Sequence, residues 1–418
     1  MSLKINLIEA CPDSDKGSIG VFYVKHHLEK AGHIVELNDT TKRGYDLEML
    51  SAHHCLDFLR IIKMRKLAPI RIIGGHPMQN NPKPIISFAD AVFIGEAEGI
   101  IGESINALEK KGIDELKKFP GWIISKNWRY GDKIPETVIC DPLPENPPYL
   151  NRPDTLSRAW YVEIARGCPF KCYYCELGHS TKFRKYSFEQ IKKTLDLCDL
   201  SKTKKINFYA PDEASHPDYK PLYDYLSQKG FLSAFSSMRL ESVMKNNPPI
   251  KANQLIRIGI DGLTEETRIR INKKITNQMI VDYFTMLINN GHVQFKMFMM
   301  FGYSWEKLED FKEFEKLMHM IKKIPLKKNI SLRIKWTPFI PQPCTPLKNE
   351  LAKYDFAMVE KISVWHAINQ RPRQEPGIFI ENDGLMSMKS HKLQCQLTKG
   401  DERILYPFTE RNKILWQT

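Results

Sequence analysis

Apolar positions follow two alternating periodicities along the first 115 residues. Short apolar runs typical of buried strands occur at 3–9, 33–39, 46–52, 70–75 and 91–96. Apolar residues at helical spacing separate these runs at 18–31, 54–67 and 97–111. Strands that alternate with helices predict a parallel sheet with crossover connections. We therefore predict a compact Rossmann-like domain over residues 1–118.

The alternation stops at residues 119–158, where the proline-dense stretch "PLPENPPYLNRPD" predicts a linker or strap. Strand-like runs then recur at 160–165, 205–210, 232–238, 256–261, 294–302 and 330–339. Helical stretches separate them. Six such repeats predict a partial (β/α)6 barrel at residues 159–345, followed by a C-terminal extension at 346–418. The predicted fold class is α/β throughout.

Composition narrows the class of protein. A chain of 418 residues with 42% hydrophobic content can bury a sizeable core without disulfides. Nine cysteines, three of them crowded together, are typical of a metal site in a reducing compartment, so we expect a cytoplasmic protein. No basic segment precedes an apolar run at the start, and no window of about 18 apolar residues occurs, so neither a signal peptide nor a membrane association is expected.

The formal charge of +13 can mark a nucleic-acid or acidic-protein partner. Lysine is scattered along the whole chain rather than gathered in one block. This distribution favours solvated helix faces as the source of the charge. A nucleic-acid partner stays open on this ground.

The strongest chemical signal follows the first strand of the predicted barrel. In "ARGCPFKCYYCELG", Cys168, Cys172 and Cys175 have the spacing C-x3-C-x2-C. A catalytic zinc takes three protein ligands and a water molecule. A four-iron cluster held by three thiolates leaves one iron open. Structural zinc normally takes four ligands, and the chain has no second C-x2-C. Two basic residues and a glycine flank the triplet, which suits an anionic cluster.

The segment "RGCPFKCYYCELG" resembles the cluster loop of radical S-adenosylmethionine (SAM) enzymes. The resemblance implies that the three cysteines hold a [4Fe–4S] cluster, whose open iron binds the amino and carboxylate groups of SAM. Reduction then cleaves SAM and yields a 5′-deoxyadenosyl radical. The aromatic Tyr174, before the last cysteine, is expected near the adenine. A one-electron reductant of the flavodoxin or ferredoxin type is the implied partner.

Later blocks resemble the same family and supply candidate SAM ligands. "FYAPDEASHP" offers Asp212 and Glu213 for the SAM amino group, with a helix N-cap as an equal alternative. "FSSMRLESV" offers Ser237 and Arg239, and the arginine is expected to pair with the SAM carboxylate. "IRIGIDGLTEETRIRINKKIT" has Asp261 where the family has a glutamate near the ribose, and its Arg and Asn positions also match the block.

Two more blocks complete the resemblance, which covers about residues 160–350. "FKMFMMFGYSWEKLEDF" has Tyr303-Ser304-Trp305 where the family usually has leucine, proline and glycine, a departure expected to alter the pocket wall. "WTPFIPQPCTPL" resembles the sixth-strand block. It contains Cys344, a candidate to face the active site.

Three blocks of the first domain resemble the cobalamin-binding domain of a large radical SAM subclass: "GSIGVFYVKHHLEKAGHIVELND", "IRIIGGHP" and "AVFIGEAEGI". The resemblance implies a cobalamin site formed by Gly17, Gly20, Gly74, Gly75, His76, Gly95 and Glu96. Glycines there are expected to let the backbone approach a flat macrocycle. No D-x-H-x-x-G motif occurs, so no histidine is expected to replace the dimethylbenzimidazole ligand. Binding without a lower protein ligand and a decayed scaffold both stay open.

These resemblances imply a cobalamin-dependent radical SAM methyltransferase that acts on an unactivated carbon. The long C-terminal extension, which could hold a chain, favours a peptide or protein side chain as the substrate, and a small molecule stays open. Three alternatives stay open: cobalamin used for ring formation or rearrangement, a tRNA methylthiotransferase-like enzyme, and a non-enzymatic SAM or cobalamin sensor. A methylthiotransferase would hold a second cluster on three cysteines, but no third cysteine follows Cys11 and Cys55 near residue 80. The intact triplet argues against a sensor.

Overall fold

A computed structural model describes most of the chain, at residues 2–10, 19–145, 147–150, 158–234, 238–247, 254–370 and 376–409. Three residues discussed above, Gly17, Ser237 and Cys11, lie outside the described residues. The chain forms two compact units. The first comprises Met1–Val162, Lys193–Thr203 and Gln394–Thr418, and the second comprises Glu163–Lys192 and Lys204–Leu393.

The first unit contains a six-stranded sheet. Its strands are β1 (Lys4–Glu9), β2 (Ile34–Leu37), β3 (Leu47–Ala52), β4 (Ile70–Gly75), β5 (Ala91–Phe93) and β6 (Trp122–Ile124). Its helices are α1 (Ile19–Lys30), α2 (Phe58–Ile61), α3 (Pro77–Asn80) and α4 (Ile101–Lys111). The strand order is β2-β1-β3-β4-β5-β6, and β1 to β5 run parallel to one another. The five strands predicted for the first domain are all present.

The core of this unit explains its apolar pattern. Most positions of the three central strands are buried, as expected of a parallel sheet covered on both faces, and the buried positions include the polar residues Asn6, Glu48 and Arg71. Ile5, Leu47 and Ile72 of the sheet share a buried cluster with Val21 of α1 and Ile105 of α4. Burial of such side chains contributes about 1.5–3 kcal/mol each. The periodic apolar face of each helix is therefore what holds it to the sheet.

Two elements differ from the sequence expectation. The predicted linker begins with strand β6, which pairs antiparallel to β5 and covers its free edge with the buried side chains of Trp122–Ile124. The helix predicted over 54–67 is a single 3-10 turn followed by the short α2. The side chain of Arg71, in β4, donates to the carbonyl of Met64 (3.1 Å). This hydrogen bond takes the place of the one that a longer helix would form.

The chain from residue 149 onward supplies ten further strands among the described residues. They are β7 (Tyr149–Leu150), β8 (Trp160–Glu163), β9 (Ala165–Arg166), β10 (Arg184–Lys185), β11 (Lys205–Tyr209), β12 (Leu232–Ala234), β13 (Ile256–Gly259), β14 (Gln294–Phe301), β15 (Ile330–Pro338) and β16 (Ile378–Leu385). Within the second unit, β11 pairs parallel with β12, and β13-β14-β15-β16 form a parallel sheet. Each of the six predicted barrel strands begins at the predicted residue, which confirms the α/β repeat.

Eight helices accompany these strands among the described residues: α5 (Phe188–Asp196), α6 (Tyr219–Gln228), α7 (Leu240–Asn246), α8 (Glu265–Arg270), α9 (Asn277–Asn289), α10 (Phe311–Lys322), α11 (Phe356–Asn369) and α12 (Met388–Lys399). Threonine side chains cap two of them, since Thr264 accepts from the N–H of Thr267 (3.0 Å) and Thr276 from that of Met279 (3.1 Å). No helix in the described part of the chain has the length and apolarity needed to cross a bilayer.

Strand β16 lies in the segment predicted as a C-terminal extension. It pairs parallel with β15 and buries Ile378 and Ile380 in the main apolar cluster of the second unit. Without it, β15 would present an unpaired edge. The extension therefore contributes a seventh strand to the α/β repeat, a role that its mixed composition did not reveal.

Candidate active site

A short antiparallel ribbon closes the loop that carries the cysteine triplet. Strand β9 pairs with β10, and Arg184 lies opposite Arg166. Arg166 also donates two hydrogen bonds, of 2.9 and 2.8 Å, to the buried carboxylate of Glu163. A bidentate pair of this kind sets orientation as well as energy. The strand pairing and this ion pair therefore fix the start of the cysteine loop at the end of β8.

Glycines allow the loop to fold back on itself. Gly167 has φ +72°, and a Cβ there would lie 2.5 Å from the carbonyl oxygen of Lys182. A Cβ on Gly178 would lie 2.4 Å from the carbonyl oxygen of Phe170. No other residue fits either position without a shift of backbone. The tight turn at Gly167 therefore has a local steric reason for its glycine.

The three cysteine thiols lie close enough to affect one another. Cys172 is buried, and Cys168 and Cys175 are half-buried. Burial raises the pKa of Cys175 to about 12, and the charges of Cys172 and Cys168 add to the rise. Burial also raises the pKa of Cys168. Neighbouring thiols of this kind ionise together only beside a strong positive centre.

An iron–sulfur cluster provides such a centre and takes one thiolate on each of several irons, so the donor set fits a [4Fe–4S] cluster. A single metal ion would instead need its ligands to meet at one point. Among the described residues, no three His, Cys, Asp or Glu side chains form such a single-ion site. The arrangement is therefore compatible with ligands spread over a cluster.

Arg239 approaches this triplet from the start of α7. Its Nη1 donates to Sγ of Cys172 (3.0 Å), and its guanidinium lies 4.0 Å from the ring centre of Phe170. Nε also donates to Glu241 (3.3 Å). Burial opposes the charge, but the Glu241 bond and the nearby Cys172 outweigh it and raise the pKa of Arg239. The guanidinium is therefore a permanent cation beside the triplet.

Asp212 and Glu213 are both engaged with the chain itself. The Asp212 carboxylate accepts from the N–H of Arg239 (3.0 Å) and the hydroxyl of Ser242 (2.5 Å), so it is held against the start of α7. Burial raises its pKa. Glu213 is fully buried and accepts from the hydroxyl of Tyr223 (3.3 Å). Their expected contact with the SAM amino group stays a prediction. The alternative role as an N-cap is not realised by the Asp212 side chain, which makes no cap bond to the 3-10 turn that it precedes.

Asp261 joins Tyr174 and a lysine in one polar network. Its Oδ2 accepts from the Tyr174 hydroxyl (2.7 Å) and from Nζ of Lys273 (2.5 Å). Asp261 has φ +60°, a conformation that aspartate tolerates better than most residues. A Cβ on Gly259 would lie 2.8 Å from Oδ2 and 3.0 Å from Nζ. Because Gly259, at the end of β13, has no side chain, it leaves room for the ion pair of Asp261 and Lys273.

The structure thus brings together two predicted residues, Tyr174 and Asp261, and adds two that were not predicted, Lys273 and Gly259. The only sequence signal for Lys273 was its place in "INKK", within the block that resembles the family. Nothing in the sequence indicated that Gly259 lies against the pair. Contacts of this kind depend on the turn between β13 and α8.

The same "INKK" segment also pins the cysteine loop. The Asn272 side chain donates to the carbonyl of Lys171 (2.8 Å), and the N–H of Tyr173 donates to the carbonyl of Ile271 (2.9 Å). Arg268, matched to the family block, is fully buried and donates to the backbone of the same turn. The "INKK" segment therefore fixes the position of the cysteine loop through its two hydrogen bonds to Lys171 and Tyr173.

The sixth-strand block reaches the cysteine loop too. The N–H of Leu347 donates to the carbonyl of Tyr173 (3.3 Å). Burial raises the pKa of Cys344 to about 11, and the neighbouring charge of Glu176 adds to the rise. Since Glu176 directly follows the last cysteine of the triplet, Cys344 lies near the loop.

The departure at Tyr303-Ser304-Trp305 builds an aromatic stack. The Tyr303 ring lies 4.9 Å from Trp305 and 4.8 Å from Phe339, with interplanar angles of 16° and 27°. Arg270 stacks on Trp305 at 4.2 Å, and the Tyr303 hydroxyl donates to the carbonyl of Asp261 (3.2 Å). Flat rings thus occupy the positions where the family block usually has leucine, proline and glycine, and an altered pocket wall stays a prediction.

In the first unit, two of the predicted cobalamin glycines face their own chain. Gly75 has φ +107°, and a Cβ there would lie 2.1 Å from the carbonyl oxygen of Ala52. Gly95 has φ +119°, and a Cβ would lie 2.4 Å from backbone atoms of Val138. Close backbone packing therefore accounts for both. Gly74 is different, since its nearest atom would be 4.0 Å away.

The other predicted cobalamin residues are spread over three elements. Gly20 lies in α1, and His76 precedes α3, just past the end of β4. The Glu96 carboxylate accepts from the N–H of Cys140 (2.7 Å). Gly74 and His76 are both half-buried, at the end of β4 and directly after it. Gly95 and Glu96 instead contact Val138 and Cys140, in the segment that follows β6.

Comparison with known proteins links this geometry to a family. Residues 162–314 match the radical SAM superfamily. An uncharacterized protein of Methanocaldococcus jannaschii is 24% identical over 407 residues, which cover 92% of this chain and 86% of the relative. The match to the radical SAM superfamily spans the positions of the cysteine loop, Arg239 and Asp261.

Solved structures extend the likeness in fold to most of the chain. The radical SAM methyltransferase TsrM from Kitasatospora setae, with cobalamin and a [4Fe–4S] cluster bound, has a TM-score of 0.62 at 12% identity, over 83% of this chain and 74% of TsrM. The cobalamin-dependent SAM radical enzyme OxsB has a TM-score of 0.54 at 16% identity, over 78% of this chain. This chain covers about half of OxsB, 53%. The cysteine triplet lies inside the stretch that matches the radical SAM superfamily, and the fold of the chain is similar to the folds of TsrM and OxsB.

Proposed function

We propose that this protein is a cobalamin-dependent radical SAM C-methyltransferase that acts on an unactivated carbon. The observation that carries the proposal is the set of three interacting thiols, Cys168, Cys172 and Cys175, on a pinned loop at the end of the first barrel strand. The fold around this loop is shared with TsrM, which is a methyltransferase with cobalamin and a cluster.

The three cysteines would hold the cluster, and Tyr174 and Asp261 would contact SAM. When bound, the cluster with SAM supplies one-electron chemistry that removes a hydrogen atom from a carbon no side-chain base can deprotonate, and cobalamin supplies a methyl group. The chain itself orients and shields these groups. Lys273 holds the Asp261 carboxylate in place. The Tyr303 stack keeps water from that side.

Cobalamin binding is proposed for the first unit at the ends of its parallel strands, where open α/β sheets bind ligands. Gly74 and His76 are the residues best placed to contact it, because the Cβ position of Gly74 is open. Gly20, Gly75, Gly95 and Glu96 would shape the site from behind.

A peptide or protein side chain is the proposed substrate class, and a flavodoxin- or ferredoxin-type protein is the proposed reductant. The formal charge of +13 supports an acidic partner in both cases. Nucleic acid remains the competing substrate class on the same ground.

The test begins with the protein purified and reconstituted without oxygen. Iron, sulfide and corrinoid absorption report the bound cofactors. Incubation with dithionite, methyl-labelled SAM and a peptide pool then reports chemistry, and we expect label on carbon in a peptide. SAM cleavage to 5′-deoxyadenosine without methyl transfer would instead support ring formation or rearrangement by a cobalamin-dependent radical enzyme. Absence of any SAM cleavage would overturn both.

Cysteine substitutions provide the matched control. Cys172→Ala removes one ligand of the proposed cluster, and we expect iron and sulfide to fall to background. Cys198→Ala removes a thiol that lies outside the loop and contacts the carbonyl of Thr194 (3.6 Å), so cluster content should stay at the wild-type level. Equal iron content in the two variants would rule out the assigned ligands.

A further inference from the structure

The contact between Arg239 and Cys172 singles out one of the three cysteines. A charged donor lies 3.0 Å from the Cys172 sulfur. Cys168 and Cys175 instead receive backbone N–H bonds, from Phe170 and Leu177. The three ligands are therefore electrostatically unequal.

We propose that Arg239, restrained by Glu241, raises the reduction potential of the cluster held by this triplet, and so acts as a positioning residue for electron uptake. The proposal rests on the proposed cluster ligands. In the step concerned, one electron passes from the flavodoxin- or ferredoxin-type reductant to the cluster. No bond forms or breaks, and the cluster becomes one unit more negative.

A cation that donates to a cluster sulfur stabilises the more negative, reduced state. The effect is large where water is scarce, because a low local dielectric strengthens charge interactions. Cys172 is buried, and the Arg239 side chain is only 13% exposed. Because the charge of Arg239 is permanent, this bias towards reduction does not depend on pH.

Three other contacts keep the guanidinium on the sulfur. Asp212 accepts from the backbone N–H of Arg239 and fixes the start of α7. The Phe170 ring lies under the guanidinium at 4.0 Å. Glu241 accepts from both Nε and Nη2. Each of the three guanidinium nitrogens is thus engaged within the chain, which an arginine placed only to await the SAM carboxylate would not need.

Glu241 also moderates the effect of Arg239. Although burial works against ionisation, the bond and charge of Arg239 lower the pKa of Glu241, so the carboxylate is ionised. Its negative charge offsets part of the arginine field at the cluster. The two residues should therefore shift the potential in opposite directions when each is neutralised.

The experiment is a redox titration of the reconstituted protein without SAM, with the reduced cluster followed by electron paramagnetic resonance. Arg239→Gln should move the midpoint to more negative potential. At the wild-type midpoint, the reduced-to-oxidised ratio should fall several-fold, where tenfold corresponds to about 59 mV for one electron. Glu241→Gln should move the midpoint to less negative potential. Arg239→Lys, which keeps the cation, should lie between wild type and Arg239→Gln.

Arg270→Gln is the matched control, since it neutralises an arginine that stacks on Trp305 at 4.2 Å. Its midpoint should equal that of wild type. Unshifted midpoints in iron-loaded Arg239→Gln and Glu241→Gln would overturn the inference and leave the cluster assignment standing. If Arg239→Gln holds no iron, an unshifted Glu241→Gln is sufficient to overturn it. Absence of a cluster in wild type would instead reject the proposed function.

Discussion

Asp261 shows how one shortened side chain changes the contacts of its neighbours. The family block places a glutamate there, and the aspartate at φ +60° accepts from both Tyr174 and Lys273. The lysine and aspartate side chains are 7% and 13% exposed, so the pair is largely desolvated. Buried pairs are costly to break from one side, because the remaining charge loses its partner.

Lys273→Met should therefore lower the free energy of unfolding by about 3 kcal/mol. The double variant Lys273→Met/Asp261→Asn should recover part of that loss, because no uncompensated charge remains. Denaturant unfolding of the four proteins of this cycle measures the coupling. Additive losses would show that the two side chains do not interact.

At the scale of elements, the turns after the strands carry the candidate active site. The turn between β14 and α10 depends on Glu306, whose Oε2 accepts from the N–H groups of Gly302 (2.6 Å) and Tyr303 (3.3 Å). Its Oε1 has no hydrogen-bond partner among the described residues. Burial raises the pKa of Glu306 to about 8, although the backbone bonds lower it. The turn is thus held by a carboxyl group that resists ionisation.

This raised pKa makes the stability of the protein depend on pH. Between pH about 4.5 and about 8 the folded chain keeps the proton and the unfolded chain loses it, so the free energy of unfolding falls as pH rises. Glu306→Gln removes the ionisation. We expect the stability advantage of wild type over Glu306→Gln to shrink across this window by an amount on the order of a few kcal/mol. Thermal or urea unfolding from pH 5 to pH 8 measures it, and parallel profiles would contradict it.

On the scale of the whole molecule, the charge of +13 is the property that no single contact explains. A field of this sign attracts acidic partners and accelerates their association. Salt screens such attraction, with a Debye length of about 8 Å at physiological ionic strength. The positive charge should therefore attract the proposed protein reductant. Electron transfer to the cluster then takes place within the complex of the two proteins.

The rate of cluster reduction by flavodoxin should accordingly fall as ionic strength rises at constant pH. The decrease should be several-fold between about 0.05 and 0.5 M salt, because the Debye length shortens to a few ångström. Stopped-flow absorbance measures the rate. Methyl viologen, a cationic reductant, serves as control and should accelerate or stay level with salt. If the rate of cluster reduction by flavodoxin does not change with ionic strength, the charge does not steer the reductant.

Several features were predictable because they depend on neighbours in sequence. The starts of the six barrel strands follow from apolar runs, and the closeness of the three thiols follows from the spacing of Cys168, Cys172 and Cys175. Strand β16 and strand β6 were not predictable, because their compositions are mixed or proline-flanked. They form because β15 and β5 would otherwise leave unpaired edges.

The sequence by itself determined the α/β repeat and the three cysteines, because periodicity and short spacings survive without knowledge of the fold. Only the tertiary structure decided which side chains meet around them. Arg239 reaches Cys172 across 67 positions and Tyr174 reaches Asp261 across 87. Such contacts arise when the ends of parallel strands come together at one edge. That juxtaposition is set by strand order and turn geometry, which no local pattern encodes.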